Sequence, residues 1–173
     1  MYFATWASFW PVARFLSEEV LAVAWPAGHT AIELGCGIGL PGIAALAAGL
    51  DVTFTDYDAT ALRFAAENAR RNGFPNPRTA LLDWRTPPVE RYDVVLASDL
   101  LYEERSVEPL AASIAALMAP GGVALVADNN RPHAPEFKIA IEARGMTWEA
   151  RPHHMKNDGG YDVNGTIYRL TWR

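Results

Sequence analysis

At 173 residues and 19.0 kDa the chain has the size of one ordinary domain, half hydrophobic and a fifth charged; it can bury a core without disulfides or metal, and a separate substrate domain would not fit. A formal net charge of -5 and a pI of about 5.3 give no global positive field, which disfavours nucleic acid as a partner. The one cysteine, Cys36, excludes an internal disulfide and suits a reducing cytoplasm.

The N-terminal stretch MYFATWASFWPVARFLSEEV is aromatic and apolar but lacks a basic n-region and a cleavage site of the A-x-A kind. No stretch approaches the roughly 18 uninterrupted apolar residues of a membrane span, so a soluble cytoplasmic protein with no membrane partner is expected. After Pro11, apolar residues at Val12, Phe15, Leu16, Val20, Leu21 and Val23 recur at helical spacing, and Trp25-Pro26-Ala27-Gly28 stops them. Ala31 to Cys36 reads as a strand entering glycines, and Leu40 to Ala48 as an alanine-rich helix closed by Gly49. A second strand, Val52 to Thr55, ends at Asp56, and a helix over Ala59 to Arg71 stops at Asn72-Gly73. Arg78 to Trp84 is a third strand, and Tyr92 to Ala97 a fourth that runs into Ser98-Asp99. Val107 to Met118 is helical, Pro120-Gly121-Gly122 turns the chain, and Val123 to Ala127 is a fifth strand. Pro135 to Arg144 is a helix ended by Gly145, and strands from Thr147 and from Thr166 to Trp172 complete the chain.

Unbroken apolar strands separated by helices belong to a mainly parallel sheet covered on both faces. The last two strands are joined by His154 to Gly165, rich in Asn, Asp and Gly and too short for a crossover helix, so they should be antiparallel neighbours. The expected fold is α/β: a doubly wound, mainly parallel seven-stranded sheet with a C-terminal antiparallel hairpin. One domain over 1–173 is expected, with an N-terminal aromatic segment and helix (1–28), a cofactor-binding core (29–130) and a C-terminal helix and hairpin (131–173).

ELGCGIGLPG, residues 33–42, can be parsed in two ways. From Gly35 it is an acidic residue followed by Gly-x-Gly-x-Gly, the pattern of a loop that holds S-adenosylmethionine. From Gly37 it is the dinucleotide pattern G-x-G-x-x-G. Asp56, about 20 residues on at the end of a strand, serves ribose hydroxyls under either parsing. Pro41 removes a donor that a pyrophosphate would need at the helix N-terminus, and little chain remains for a dehydrogenase's substrate. Glu33 is an unusual choice in a buried strand unless it has a partner, which the ammonium of a methionine moiety would provide.

The combination ELGCGIGLPG, TDYD, LLDW and ASDLLYEE, with WASFWP upstream, resembles the seven-strand methyltransferases of methyltransferase family 16, which includes protein lysine methyltransferases and nicotinamide N-methyltransferase-like proteins. The match runs from residue 6 to about residue 130, and relatives usually carry more sequence before the W-A-x-x-W-P element. The resemblance implies S-adenosylmethionine as cofactor. Glu33, Gly35, Gly37 and Gly39 would then hold its methionine and ribose, the glycines by leaving room for it, and Asp56 would accept from the ribose hydroxyls. Asp83 would accept the adenine amino group and Trp84 would cover the ring, a role it shares with that of a half-buried core tryptophan. Ser98 would complete the cofactor site, and Asp99 and Tyr102, a D-x-x-Y element, would be catalytic, lying near the transferred methyl and the incoming amine. Trp10 is a candidate wall of the pocket, where an aromatic face suits a sulfonium or ammonium; Trp6 is read as a staple for the N-terminal helix. No metal is expected, since His153 and His154 are adjacent on a strand and point to opposite faces.

The expected function is N-methylation of a protein lysine. A small-molecule amine or nicotinamide-like acceptor is the alternative, and an NAD-linked oxidoreductase a further one. A protein substrate calls for a shallow cleft open to solvent near Asp99, and a closed pocket there would sink that reading.

Overall fold

The computed structural model describes residues 11–157 and 159–173. In chain order they form α1 (Pro11–Ala22), β1 (Thr30–Leu34), α2 (Leu40–Ala47), β2 (Asp51–Asp56), α3 (Ala59–Arg71), β3 (Arg78–Leu81), β4 (Tyr92–Ser98), α4 (Val107–Leu117), β5 (Met118–Asp128), α5 (Ala134–Glu142), β6 (Met146–Lys156) and β7 (Asp162–Trp172), with a 3-10 turn at Glu104–Ser106. The strands make a sheet in the order β3-β2-β1-β4-β5-β7-β6, in which β1 to β5 pair in parallel and β7 runs antiparallel between β5 and β6. This is the doubly wound sheet with a terminal hairpin that the alternation of strands and helices requires.

Period-two alternation explains the two layers. Ile32 and Leu34 of β1 pack with Leu110 and Ile114 of α4 and Phe137 and Ile141 of α5. Ala31 points the other way, into a cluster with Phe15 and Leu16 of α1, Ala45 of α2 and Ala65 of α3. With both faces covered, β4 can be apolar along almost its whole length, as YDVVLAS is. Pro11 opens α1 at a position whose N–H would have had no helical partner. Val12, Phe15, Leu16 and Val20 then form its buried stripe, and each such side chain contributes roughly 1.5–3 kcal/mol through burial.

Three boundaries depart from expectation. The third strand stops at Leu81 rather than Trp84, because only Arg78 to Leu81 find partners on β2, and the bond from the Leu82 N–H to Asp56 O at 2.9 Å is the last rung of that ladder. β5 begins at Met118 and absorbs the expected turn Pro120-Gly121-Gly122, where the pairing with β4 shifts register between Tyr92 and Val94. The hairpin ladder runs on to the pair Lys156↔Asp162, so the connection is only residues 157–161. Polar residues are tolerated there because β6 is an edge strand whose side chains pair across: His154 Nδ1 lies 2.9 Å from Asn164 Oδ1, and Lys156 Nζ donates to Asp162 Oδ1 at 3.0 Å. The Asn157 carboxamide oxygen accepts from the N–H groups of Gly159 and Tyr161 and closes the turn.

Candidate active site

In this sheet order the chain steps from β1 outward to β2 and β3, then returns to the other side of β1 with β4. In open α/β sheets ligands bind outside the carboxyl ends of the strands where such a reversal occurs. A cavity of about 900 Å³ opens there, walled by the loops that leave β1, β2 and β4 and by the turn after β3.

The loop after β1 is built around Glu33. This side chain is 2% exposed, and its Oε2 accepts from the Gly42 N–H at 3.0 Å. Burial pushes the Glu33 carboxyl well above the usual carboxylate range; the Gly42 bond opposes this and Asp56 nearby adds to it. Gly42 is indispensable to the contact, since a Cβ there would lie 2.4 Å from Phe54 Cε1 and 2.5 Å from Glu33 Oε2. The same bond decides between the two glycine registers. At the N-terminus of α2, Pro41 has no N–H and the Gly42 N–H is taken by a carboxyl group, so a pyrophosphate would lose two of the donors it needs.

Gly35, Gly37 and Gly39 all adopt left-handed backbone angles, φ 57°, 52° and 82°. Gly35 and Gly37 line the cavity, whereas Gly39 is not among its walls: a Cβ at Gly39 would meet Ala65 Cβ at 2.9 Å. At Gly39 the missing side chain leaves room for α3. At Gly35 a Cβ would meet Leu100 Cδ2 at 2.8 Å, so this glycine too answers to the protein's own packing. Cys36, 5% exposed, is a packing residue whose thiol burial holds far from ionisation.

Asp56 is 4% exposed and holds the loop directly: Oδ2 accepts from the Gly37 N–H and Oδ1 from the Asp58 N–H, each at 3.0 Å. Ser98, at the end of β4, lines the cavity with a buried Oγ that has no hydrogen-bond partner among the described residues. An unsatisfied buried hydroxyl is costly, and a polar ligand atom in the cavity would satisfy it. Asp83 and Trp84 reach the cavity from beyond β3 rather than from its end. Asp83 is held below the usual carboxylate range by Arg85, whose Nε lies 2.8 and 2.9 Å from its two oxygens. Trp84 both lines the cavity and packs against the α4–α5 core.

Asp99 leaves β4 with φ 54°, 6% exposed, and Tyr102 stands at the mouth, 49% exposed. Burial, with Glu103 close by, raises the Tyr102 hydroxyl above its ordinary proton affinity. Trp6 and Trp10 lie outside the described residues. His153 and His154 separate as expected of neighbours on a strand: the former stacks on Phe15 at 5.3 Å between centroids, and the latter pairs with Asn164. Among the described residues no group of three or more His, Cys, Asp or Glu side chains converges on a metal position, and no helix is long and apolar enough to cross a membrane.

Two cavity-side features escaped the sequence reading. Arg131, from the loop after β5, grips both Asp99 oxygens, Nε to Oδ1 at 3.0 Å and Nη2 to Oδ2 at 2.9 Å. Behind it Asp128 is fully buried and accepts from the Arg131 N–H at 2.8 Å. The only available signal was topological, because the end of β5 must lie beside the end of β4 if the two strands pair in parallel.

A ribosomal protein L11 methyltransferase of Xanthomonas campestris pv. campestris is 38% identical over 96 residues, 55% of this chain and 30% of that protein. A histidine protein methyltransferase 1 homolog of Dictyostelium discoideum is 32% identical over 115 residues, 62% of this chain and 36% of that protein. The chain thus spans about a third of the length of these curated relatives. Among solved structures, ribosomal protein L11 methylase of Lactobacillus delbrueckii subsp. bulgaricus superposes with a TM-score of 0.77 at 17% identity, over 96% of this chain and 82% of that one, which establishes a shared fold. Matched over residues 5–142 by the family model for lysine methyltransferase, the chain belongs to that family.

Proposed function

We propose that the protein is an S-adenosylmethionine-dependent N-methyltransferase acting on a lysine side chain of a protein, in a cytoplasmic setting that suits its single unpaired thiol. The observation that carries this reading is the set of groups on one cavity: the loop held by Glu33 and Asp56, the unsatisfied Ser98 Oγ, and Asp99 with Tyr102 where β4 ends. These residues fit the cofactor: buried acids for an ammonium and ribose hydroxyls, a hydroxyl lacking a partner, and a half-buried tryptophan beside the space for an adenine.

Held by Glu33, Asp56 and the Ser98 hydroxyl, the cofactor would supply a sulfonium methyl group to the amine lone pair, with the pair of the broken carbon–sulfur bond left on the sulfur of S-adenosylhomocysteine. The protein's part is positioning and exclusion of water. Lysine, with an ordinary pKa near 10.4, must first give a proton to solvent, and Asp99 then accepts a hydrogen bond from the remaining N–H and aims the lone pair. Tyr57 and Tyr102 flank the mouth at 75% and 49% exposure, which supports an acceptor carried on a larger molecule over a small one enclosed whole. Asp99 itself is more deeply set than an open cleft would leave it, so the acceptor must reach in as a long, narrow side chain.

The test is incubation with methyl-labelled S-adenosylmethionine and lysate protein, followed by hydrolysis of the labelled bands. Methyllysine is the expected product. Methylhistidine alone, or label confined to small molecules, would sink the lysine assignment. Asp99→Ala should abolish transfer while S-adenosylhomocysteine still binds in calorimetry.

A further inference from the structure

Asp99 is already spoken for. Its backbone N–H donates to Ala127 O at 2.8 Å, its φ is left-handed, and both carboxylate oxygens lie in the fork of Arg131. The Asp99 side chain is 4% exposed and the Arg131 side chain 29%, and both residues line the cavity. Arg131 is itself fixed from behind by its N–H bond to Asp128 Oδ2, while the buried Asp128 Oδ1 has no partner among the described residues. A planar fork on both oxygens is a contact that arginine makes and lysine does not.

Charge decides what such a pair can bind. A lone buried aspartate would attract an ammonium ion strongly and hold it in the form that has no lone pair. Paired with Arg131, the same carboxylate still accepts a hydrogen bond but offers an ammonium ion no net opposite charge. We propose that Arg131 is a positioning residue of the acceptor site: it fixes the Asp99 carboxylate and cancels its charge, so that Asp99 receives a neutral amine and does not trap an ammonium ion. The proposal rests on the reading of Asp99 given above. Other groups around the pair are Asp128 of β5 and, beyond it, Tyr168 of β7. Tyr102, Glu103, Arg105, Asp56 and Tyr57 share the cavity, to which α1 contributes only the uncharged Ala13.

The experiment compares the full chain with Arg131→Gln and Arg131→Lys, using label transfer from S-adenosylmethionine to heat-treated lysate protein between about pH 6.5 and 9.5, a range below the ordinary lysine pKa. For the Gln variant the expected result is a loss of at least about tenfold at neutral pH, without a rise in KM for the protein acceptor, and recovery as pH rises. The Lys variant should recover part of the neutral-pH activity, because it restores the charge without the fork. Calorimetry with S-adenosylhomocysteine should give the same affinity for all three proteins. A Gln variant with the wild-type pH profile, or one whose loss is equal at every pH, would overturn the proposal. If wild-type label enters small molecules alone, the lysine assignment fails instead, and the same pH comparison on that material still decides the role of Arg131.

Discussion

As the proposed partner of the ribose hydroxyls, Asp56 would couple cofactor binding to the shape of the loop through a single carboxylate. It faces the cavity and at the same time accepts from Gly37 and Asp58, so replacing it removes a ligand contact and frees the loop together. Hydrogen bonds to charged groups contribute about 1.5–3 kcal/mol, and Asp56→Ala should therefore weaken S-adenosylhomocysteine roughly 10- to 150-fold in calorimetry; unchanged affinity would remove Asp56 from the site. Asp128 carries a pH signature. Burial, reinforced by Asp99 and opposed by the Arg131 contacts, moves its pKa from 3.8 to about 6. The folded state thus binds this proton more tightly than the unfolded chain, so the stabilisation it gives is complete below about pH 4 and is lost as pH rises through 6. Asp128→Asn should raise the melting temperature relative to wild type at pH 7, and the gain should vanish toward pH 4. Asp99 and Tyr102 could be proposed because D-L-L-Y resembles an element of the family, but Arg131 could not: it stands 32 positions from Asp99, in a loop whose sequence, NNRPH, carries no motif.

At the level of elements, the strand–loop–helix from β1 to α2 is the most tightly specified part of the fold. Helix α2 can approach β1 and β2 only because residue 42 has no side chain, and that approach puts its N–H on Glu33. Gly42→Ala would force Phe54 and Glu33 apart, and overpacking of this kind costs about 1–3 kcal/mol. Urea unfolding should show that loss. A neutral result would mean that α2 can slide, and that the Glu33 contact does not hold it. Glycine spacing alone was ambiguous here because the last glycine of G-x-G-x-x-G serves helix–strand packing whichever ligand is bound. Element types were legible where burial enforces one period, as in YDVVLA and the stripe of α1. Boundaries were not legible where solvent relaxes that demand. β3 is exposed along its whole length, and β6 and β7 continue through polar residues because cross-strand pairs, invisible to a single-strand pattern, hold them.

Across the whole molecule, the cavity at the strand-order reversal links ligand binding to global stability. Its walls come from the loops after β1, β2, β4 and β5, so a ligand seated there bridges both halves of the sheet and binds only the folded chain. A ligand at 100 times its Kd adds about 2.7 kcal/mol of stability, and in a domain of this size 1 kcal/mol moves Tm by roughly 2–4 °C. Saturating S-adenosylhomocysteine should therefore raise Tm by about 5–10 °C in calorimetry. NADH at the same concentration should leave Tm unchanged, because Pro41 and the Glu33-bound Gly42 leave its pyrophosphate two donors short. A shift with NADH and none with S-adenosylhomocysteine would reverse the choice of cofactor and, with it, the chemistry assigned to Asp99.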